Sequence, residues 1–411
     1  MLSPPTDSWK LGLMPQAVAN GLANILVLLY LISALHGSLL DIGLVTGVAA
    51  LVLIPSQMLW GRLVDALGRC KPFLVLGFLG MGLSFAAVPW AGSVAVLLAL
   101  VSLKSVAYAA TLPARQLLTV ESEQWKGWQS GLARMQFLTS SGETIGLGIG
   151  TLTVSVLGFG QLFLLCGVLC VISAAMLEVV AREPGFMIQR RMVQLERSMS
   201  TIVAASSFME YSRLQPERPA YNRLLGTLKR STKFLMIGIF GFSLAGSAFY
   251  SPLPAYFLRF FSSGSVFLIL FGGSLGEAVC YLLVGRLAQS AGMSLMMSAL
   301  LRAIMLPLLL LAALGAAPGL VIMVAALAAL MGLGSLFDVS STFAYLETAQ
   351  VGWAGLYGAL VWLGNAGGGF LGGFVSMRFG FASLFALCSL IFAGALVAFW
   401  LQFKEATWPG S

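Results

Sequence analysis

Apolar residues fall in long, nearly uninterrupted runs along this chain, and polar or basic positions gather in the short stretches between them. A helix needs about 20 apolar residues to cross the hydrocarbon core of a bilayer. That ruler lays out twelve spans, near 12–36, 39–60, 72–90, 92–113, 127–156, 159–181, 232–258, 262–285, 293–314, 318–341, 352–376 and 380–402. The runs lack the two-residue alternation of a membrane barrel, so strands are excluded. Several connections are only a residue or two long, as at Gly37-Ser38 and Ala91-Gly92, which makes consecutive spans antiparallel neighbours. One wide polar break, 182–231, separates six spans from six. The expected organisation is an all-α membrane protein with a six-helix bundle over 1–181, a basic cytoplasmic linker over 182–231 and a second six-helix bundle over 232–411.

Composition narrows the function classes. Of 411 residues, 59% are hydrophobic and 9% charged, against about 25% charged in soluble domains. Surface-to-volume scaling does not let a globule hide that much apolar surface, so a soluble enzyme and a disordered chain are both excluded, and the lipid bilayer is a required partner. The net charge is +8, and much of it sits in the linker: Arg182, Arg190, Arg191, Arg197, Arg213, Arg218, Arg223, Lys229 and Arg230 face four acids. A solvated segment that sets topology explains this run, and no nucleic-acid partner is expected. Met192, Leu195, Met199, Ile202 and Val203 recur at roughly helical spacing, as in a helix lying on a membrane surface. With the amino terminus inside, inner loops collect Arg62, Arg69, Lys71, Arg115, Lys126, the linker and Arg286, while outer loops keep Arg259 and Arg378. That asymmetry places both termini in the cytoplasm of a multi-pass cell-membrane protein. The five cysteines stand singly, without metal-ligand spacing. No phosphate-binding Gly-x-x-x-x-Gly-Lys-Ser/Thr loop and no nucleophile motif occurs. The chain is therefore expected to need no metal or cofactor, and to be neither an enzyme nor an ATP-driven pump.

Repeats tie the two halves together. Gly61-Arg62-Leu63-Val64-Asp65-Ala66-Leu67-Gly68 follows the second span, and Gly285-Arg286-Leu287-Ala288-Gln289-Ser290-Ala291-Gly292 follows the eighth, 224 positions later. Gly127-Trp128 opens the fifth span and Gly352-Trp353 the eleventh, 225 later, while Gly142, Gly146 and Gly150 recur as Gly364, Gly368 and Gly372, 222 later. Three landmarks at nearly one offset describe parallel six-helix repeats.

On these residues the chain resembles the major facilitator superfamily (MFS) over essentially its whole length. That family's signature after the second span reads Gly-x-Leu-Ala-Asp-basic-x-Gly-Arg-basic. Gly61, Leu63, Asp65, Gly68, Arg69 and Lys71 supply most of it, with Ala66 and Cys70 at basic positions. The resemblance implies the MFS fold of twelve transmembrane helices in two bundles, and a conformational latch at Gly61, Asp65, Gly68 and Arg69, whose carboxylate would hold one side shut. The glycines of the fifth and eleventh spans are similar to the family's antiporter pattern Gly-x-x-x-Gly-Pro-x-x-Gly-Gly, with Leu147 and Gly369 at the proline position. Small residues every four positions equally serve close helix packing in lipid.

Ionisable groups inside the spans mark candidate chemistry, since a lone charge there costs at least about 2.5–3.5 kcal/mol. Lys104 lies near the middle of the fourth span and Glu143 near the middle of the fifth, so antiparallel packing predicts a Lys104–Glu143 pair. In the family an antiporter motif places arginine at the position of Lys104, though Ala107 and Tyr108 depart from that motif. Glu277 lies deep in the eighth span; Arg302 in the ninth is placed either to pair with it or to snorkel to the inner surface. Arg134, Glu178, Asp338 and Glu347 fall nearer helix ends, as gate or anchor residues. Gln16, Asn20 and Asn24 share one face of the first span, with Tyr30 further along. Tyr108 follows Lys104 by one turn, and Asn365 holds in the eleventh span the place of Glu143 in the fifth. The family lines its path with spans 1, 4, 7 and 10, and Tyr250 and Tyr256 on the seventh are weaker candidates. His36, in the turn before Asp41, reads as a solvated loop residue.

The expected function is secondary transport of a small solute by alternating access between two bundles related by a pseudo-twofold axis, with protons coupled through Glu143, Glu277 or both, in a protein acting as a monomer. Efflux of drug-like compounds or metabolites comes first, on the partial antiporter motifs. Proton-coupled uptake of an anionic metabolite held by Lys104, and a non-transporting sensor on the same fold, are the alternatives.

Overall fold

The computed structural model describes residues 7–122, 128–181, 230–287, 291–315, 319–348 and 354–406, and every regular element among them is helical. A 3-10 turn, Asp7–Leu13, leads into α1 (Met14–Ser33), followed by α2 (Leu39–Leu67), α3 (Lys71–Ala87), α4 (Val94–Ser122), α5 (Trp128–Thr153) and α6 (Phe159–Val180). After the linker come α7 (Arg230–Tyr250), a helical turn Leu253–Phe257, α8 (Ser263–Leu287), α9 (Ala291–Gly315), α10 (Leu320–Thr348) and α11 (Ala354–Ala406). The last of these changes direction at Gly380, whose backbone is non-helical at φ 83 and ψ 170. A positive φ of that kind favours glycine because it has no Cβ.

The short connections are chemically specified. Ser38 caps α2 through a reciprocal box, accepting from the Asp41 N–H while the Asp41 carboxylate accepts from the Ser38 N–H at 2.7 Å. Gly68 ends the same helix in the left-handed region. His36 is exposed in this turn, as expected, and Asp41 serves the cap.

Among the described residues, nine helical runs are long and apolar enough to cross a membrane by length and composition. The last of the nine, Tyr357–Lys404, spans 48 residues and contains the break at Gly380. α5 is too polar for that count, and α9 enters it only through Ala291–Pro307, part of its 25 residues. Pro55, Pro113 and Pro307 all lie inside helices, as membrane helices tolerate when neighbours satisfy the freed backbone. The helix through Pro113 runs nine residues beyond the boundary expected from hydropathy at 113, to Ser122. Residues 182–229 of the linker, with the predicted surface helix at Met192–Val203, lie outside the described residues, as do Lys126 and Trp353, while α7 begins within the expected linker at Arg230.

Packing follows one scheme twice. In the first six helices α1 packs on α5 and α6, α3 on α4 and α6, and α2 on α4. In the last group α7 packs on α11, α9 on α10 and α11, and α8 on α10. Among the described residues two helix pairs carry most of the packing between the groups, α2 with α11 and α5 with α8, and the turn Leu253–Phe257 also packs on α1. Phenylalanine, leucine and alanine fill the interior, while Leu83, Leu152, Val179 and Leu390 stay on the outside, where lipid would cover them.

Candidate functional site

α1 has to lie against α5 before its polar face can meet anything, and glycines permit the approach. A Cβ on Gly21 would strike the Glu143 backbone, one on Gly142 would fall 2.6 Å from the Ala17 Cβ, and one on Gly146 would run into the Val18 carbonyl. Gly364, Gly368 and Gly372 bring α11 against α7 in the same way, at Ser243, Leu244 and Ala248. Both glycine stripes are thus accounted for by close helix packing.

That approach carries Glu143 to the amide of Asn20, whose Nδ2 donates to Oε1 at 2.8 Å. One turn further along α1, Asn24 Oδ1 accepts from Lys104 Nζ at 3.2 Å. The direct Lys104–Glu143 pair expected from sequence is not the arrangement found: each charge is held by a neutral amide of α1. The Lys104 ammonium also lies 5.9 Å from the ring centre of Phe85 and 5.6 Å from that of Tyr108, within the range of a cation–π contact.

A residue that sequence reasoning assigned to an inner loop completes this group. Arg115 is 5% exposed. Its Nη2 donates to Gln16 Oε1 at 2.9 Å, and its guanidinium lies 5.4 Å from the rings of both Phe78 and Tyr108. The available signal was spacing: positions 104, 108 and 115 fall on one stripe of a helix that continues through Pro113. Gln16, Asn20 and Asn24 therefore act as one polar strip, facing Arg115, Glu143 and Lys104 in turn.

A cavity of about 400 Å³ opens beside the strip, walled by α1 to α4 and by α7 and α11. Asn20, Asn24, Lys104, Tyr108 and Asn365 all line it, so five of the predicted site residues meet in one place, joined by Tyr250 and by Trp362, which the sequence did not single out. Much of the remaining wall is aliphatic, including Ile25, Leu28, Leu53 and Leu100. Asn20 Oδ1 is buried without a hydrogen-bond partner among the described residues. At the end of the bundle bearing the α1–α2 turn, Thr46 and Ser251 bring their hydroxyls to 2.8 Å, and Gly43 meets Gly369 and Gly373.

Glu277 does not line this cavity. It lies near the α5–α8 seam, where Thr144 and Ser274 join hydroxyls at 2.8 Å, and its charge interacts with those of Glu143, Asp338 and Arg302. Arg302 neither pairs with Glu277 nor snorkels. It is 5% exposed and donates Nε and Nη2 to the Leu330 carbonyl at 3.2 and 2.8 Å. Its guanidinium lies 4.7 Å from the ring centre of Phe242 and 5.5 Å from that of Phe392. A buried cation needs such partners, and a backbone carbonyl with surrounding rings supplies them here. Asp338 accepts from Tyr281 at 3.4 Å, Glu178 pairs with Lys71 at 3.1 Å, and Tyr30 donates to the Ala91 carbonyl at 3.1 Å. Tyr256 sits among Phe257, Phe260, Phe381 and Phe385, in the core rather than the cavity. The side chains of Arg134 and Glu347 lie outside the described residues.

Of the proposed latch, Gly61 has open space around it, Gly68 forms the left-handed helix end, and Arg69 is exposed. Asp65 stands in the last turn of α2, with its side chain outside the description.

With this geometry in hand, comparison with known proteins gives one finding: a family model described as Major Facilitator Superfamily matches residues 11–351. No curated protein matches the chain.

Proposed function

Because this chain belongs to the Major Facilitator Superfamily, a family of membrane transporters of small solutes, we propose that it moves its solute through the cavity beside Lys104 by alternating access, with proton coupling at Glu143. Twelve spans fit this reading if the long run through Gly380 counts as two and α5 and α9 also cross. Two six-helix bundles, 1–181 and 232–411, related by a pseudo-twofold axis are supported by the packing scheme, in which each pair in the first group has its mate in the second once α11 is divided at Gly380. α2 with α11 and α5 with α8 are then the seams on which the bundles rock. Basic residues at the inner loops support cytoplasmic termini, and action as a monomer is part of the same proposal.

The observation that carries the coupling is the strip on α1. Glu143 is one hydrogen bond from the cavity wall, through Asn20, and Lys104 is held one turn away by Asn24. The charged groups coupled to Glu143 are Lys104, Arg115 and Glu277, with the neutral phenols of Tyr108 and Tyr281 also nearby. Protonating Glu143 removes a negative charge from the neighbourhood of Lys104. The balance between inward and outward states then shifts by the difference in that interaction between the two states. Efflux by antiport and uptake by symport both remain compatible with this machinery. The glycine stripes that favoured antiport are already explained by packing.

The test uses the full chain in proteoliposomes carrying an internal pH dye, challenged with a library of labelled amines, drugs and organic anions. We expect at least one compound to move protons with it. Glu143→Gln should keep solute counterflow and lose proton-driven accumulation, since the amide can still accept from Asn20. Proton movement that persists in Glu143→Gln would refute the assignment of coupling to Glu143.

A further inference from the structure

Resting on that reading of the cavity, we propose that the site selects an amphipathic organic monoanion, a carboxylate or sulfonate on an apolar body, with Lys104 as the group that takes its charge. Lys104 is the one charged side chain among the described residues that line the cavity. Its hydrogen-bond acceptor is the neutral Asn24 amide rather than a carboxylate, so the ammonium is positioned without being neutralised. The nearest acid, Glu143, is engaged by Asn20 behind the wall, and its charge is also offset by the buried Arg115. Lys104 thus presents one positive charge to the cavity, and a monoanion completes it.

The rest of the wall sets the body of the solute. Phe85 and Tyr108 flank the ammonium, Trp362 and Tyr250 come from the other helix group, and aliphatic side chains fill much of what remains. About 400 Å³ is near the lower end of ligand sites, which fits a compound of one or two rings or a short chain. A lysine is a compact point charge on a flexible stem, whereas phosphate recognition by a rigid, bidentate fork is the work of arginine. The two buried arginines point that capacity elsewhere, at Gln16 and at the Leu330 carbonyl. A dianionic phosphate therefore finds no clamp among these residues, and an organic cation would meet Lys104 with like charge.

Isothermal titration of the purified full chain with three matched probes separates these possibilities: naphthalene-2-sulfonate, naphthalene-2-sulfonamide and 2-naphthylmethylammonium. The sulfonate is expected to bind at least tenfold more tightly than either of the others. Lys104→Met should weaken the sulfonate at least tenfold and leave the sulfonamide within about twofold, while Lys104→Arg, checked for folding by size exclusion, should retain most of the affinity. Equal or tighter binding of the ammonium probe, no binding of any probe, or a sulfonate affinity unchanged in Lys104→Met would each overturn the proposal. Counterflow of the sulfonate without proton movement would instead leave the anion site standing and remove the coupling reading on which Glu143 was placed.

Discussion

The seam between α2 and α11 offers a perturbation whose size can be worked out in advance. A Cβ added at Gly373 would lie 2.7 Å from the Leu39 carbonyl oxygen and 2.8 Å from the Gly43 Cα. Both are backbone atoms and cannot rotate aside. Ordinary contact begins at 3.4 Å, so the helices must part by about 0.7 Å, the difference between 3.4 and 2.7. Overpacking of this kind costs about 1–3 kcal/mol. The cost falls only on the state in which this end of the seam is closed, so Gly373→Ala should shift the conformational balance about 5–150-fold toward the state in which it is open. Ser251 reports the change, because it is 7% exposed and its hydroxyl bridges the same seam to Thr46. In nanodiscs, with the five native cysteines replaced, Ser251→Cys should react with a maleimide at least fivefold faster when Gly373→Ala is present. Gly146→Ala is the control: it crowds Val18 and Leu22 between α1 and α5 within one group of helices, and should lower thermal stability without speeding the labelling. Equal labelling rates with and without Gly373→Ala, alongside a loss of stability like that of the control, would refute the seam as a moving contact.

Two further outcomes follow from the same geometry. Arg302→Leu removes two bonds to the Leu330 carbonyl and a guanidinium among three rings, and should cost about 2–4 kcal/mol; Gly334→Ala, whose Cβ would strike the Arg302 Nη2, should cost much less in that background than alone, as a double-mutant cycle by thermal unfolding would show. A cysteine pair at Thr46 and Ser251 should cross-link under mild oxidation and stop transport reversibly, and transport that continues through the cross-link would show that this end of the seam need not open.

What the sequence disclosed was set by the bilayer and by backbone approach. Span lengths follow from hydrocarbon thickness, so the helices lie close to where hydropathy places them, and glycines at four-residue spacing mark where α5 meets α1 and α11 meets α7. The polar face of α1 was legible too, because Gln16, Asn20 and Asn24 are four residues apart. The partners of the charges were not. Pairing by sign predicted Lys104 with Glu143 and offered Glu277 to Arg302, but contacts near 3 Å depend on helix rotation and axial register, which periodicity leaves free by several ångströms. Arg115 was missed for a related reason. A hydropathy window ends at Pro113, whereas the helix continues and turns the arginine inward against Gln16 and Tyr108.

The Asn24 amide that holds Lys104 is the feature whose replacement is most informative. A carboxylate at position 24 would accept the same hydrogen bond, but as a full ion pair. It would cancel the lysine's charge toward the cavity and set a negative group beside the incoming anion. Asn24→Asp changes the side chain by one atom, so packing along α1 is preserved, and the fold should remain stable. Anion affinity should fall at least tenfold for naphthalene-2-sulfonate, the direction expected when a solute must displace an ion pair instead of joining a free charge. Asn24→Leu makes the complementary case: the ammonium keeps its charge but loses its acceptor at 3.2 Å, and affinity should fall only by the few-fold cost of an unpositioned lysine. If Asn24→Asp binds the sulfonate as well as the native chain does, then Lys104 does not take the anion's charge. The amide strip would in that case serve helix packing alone.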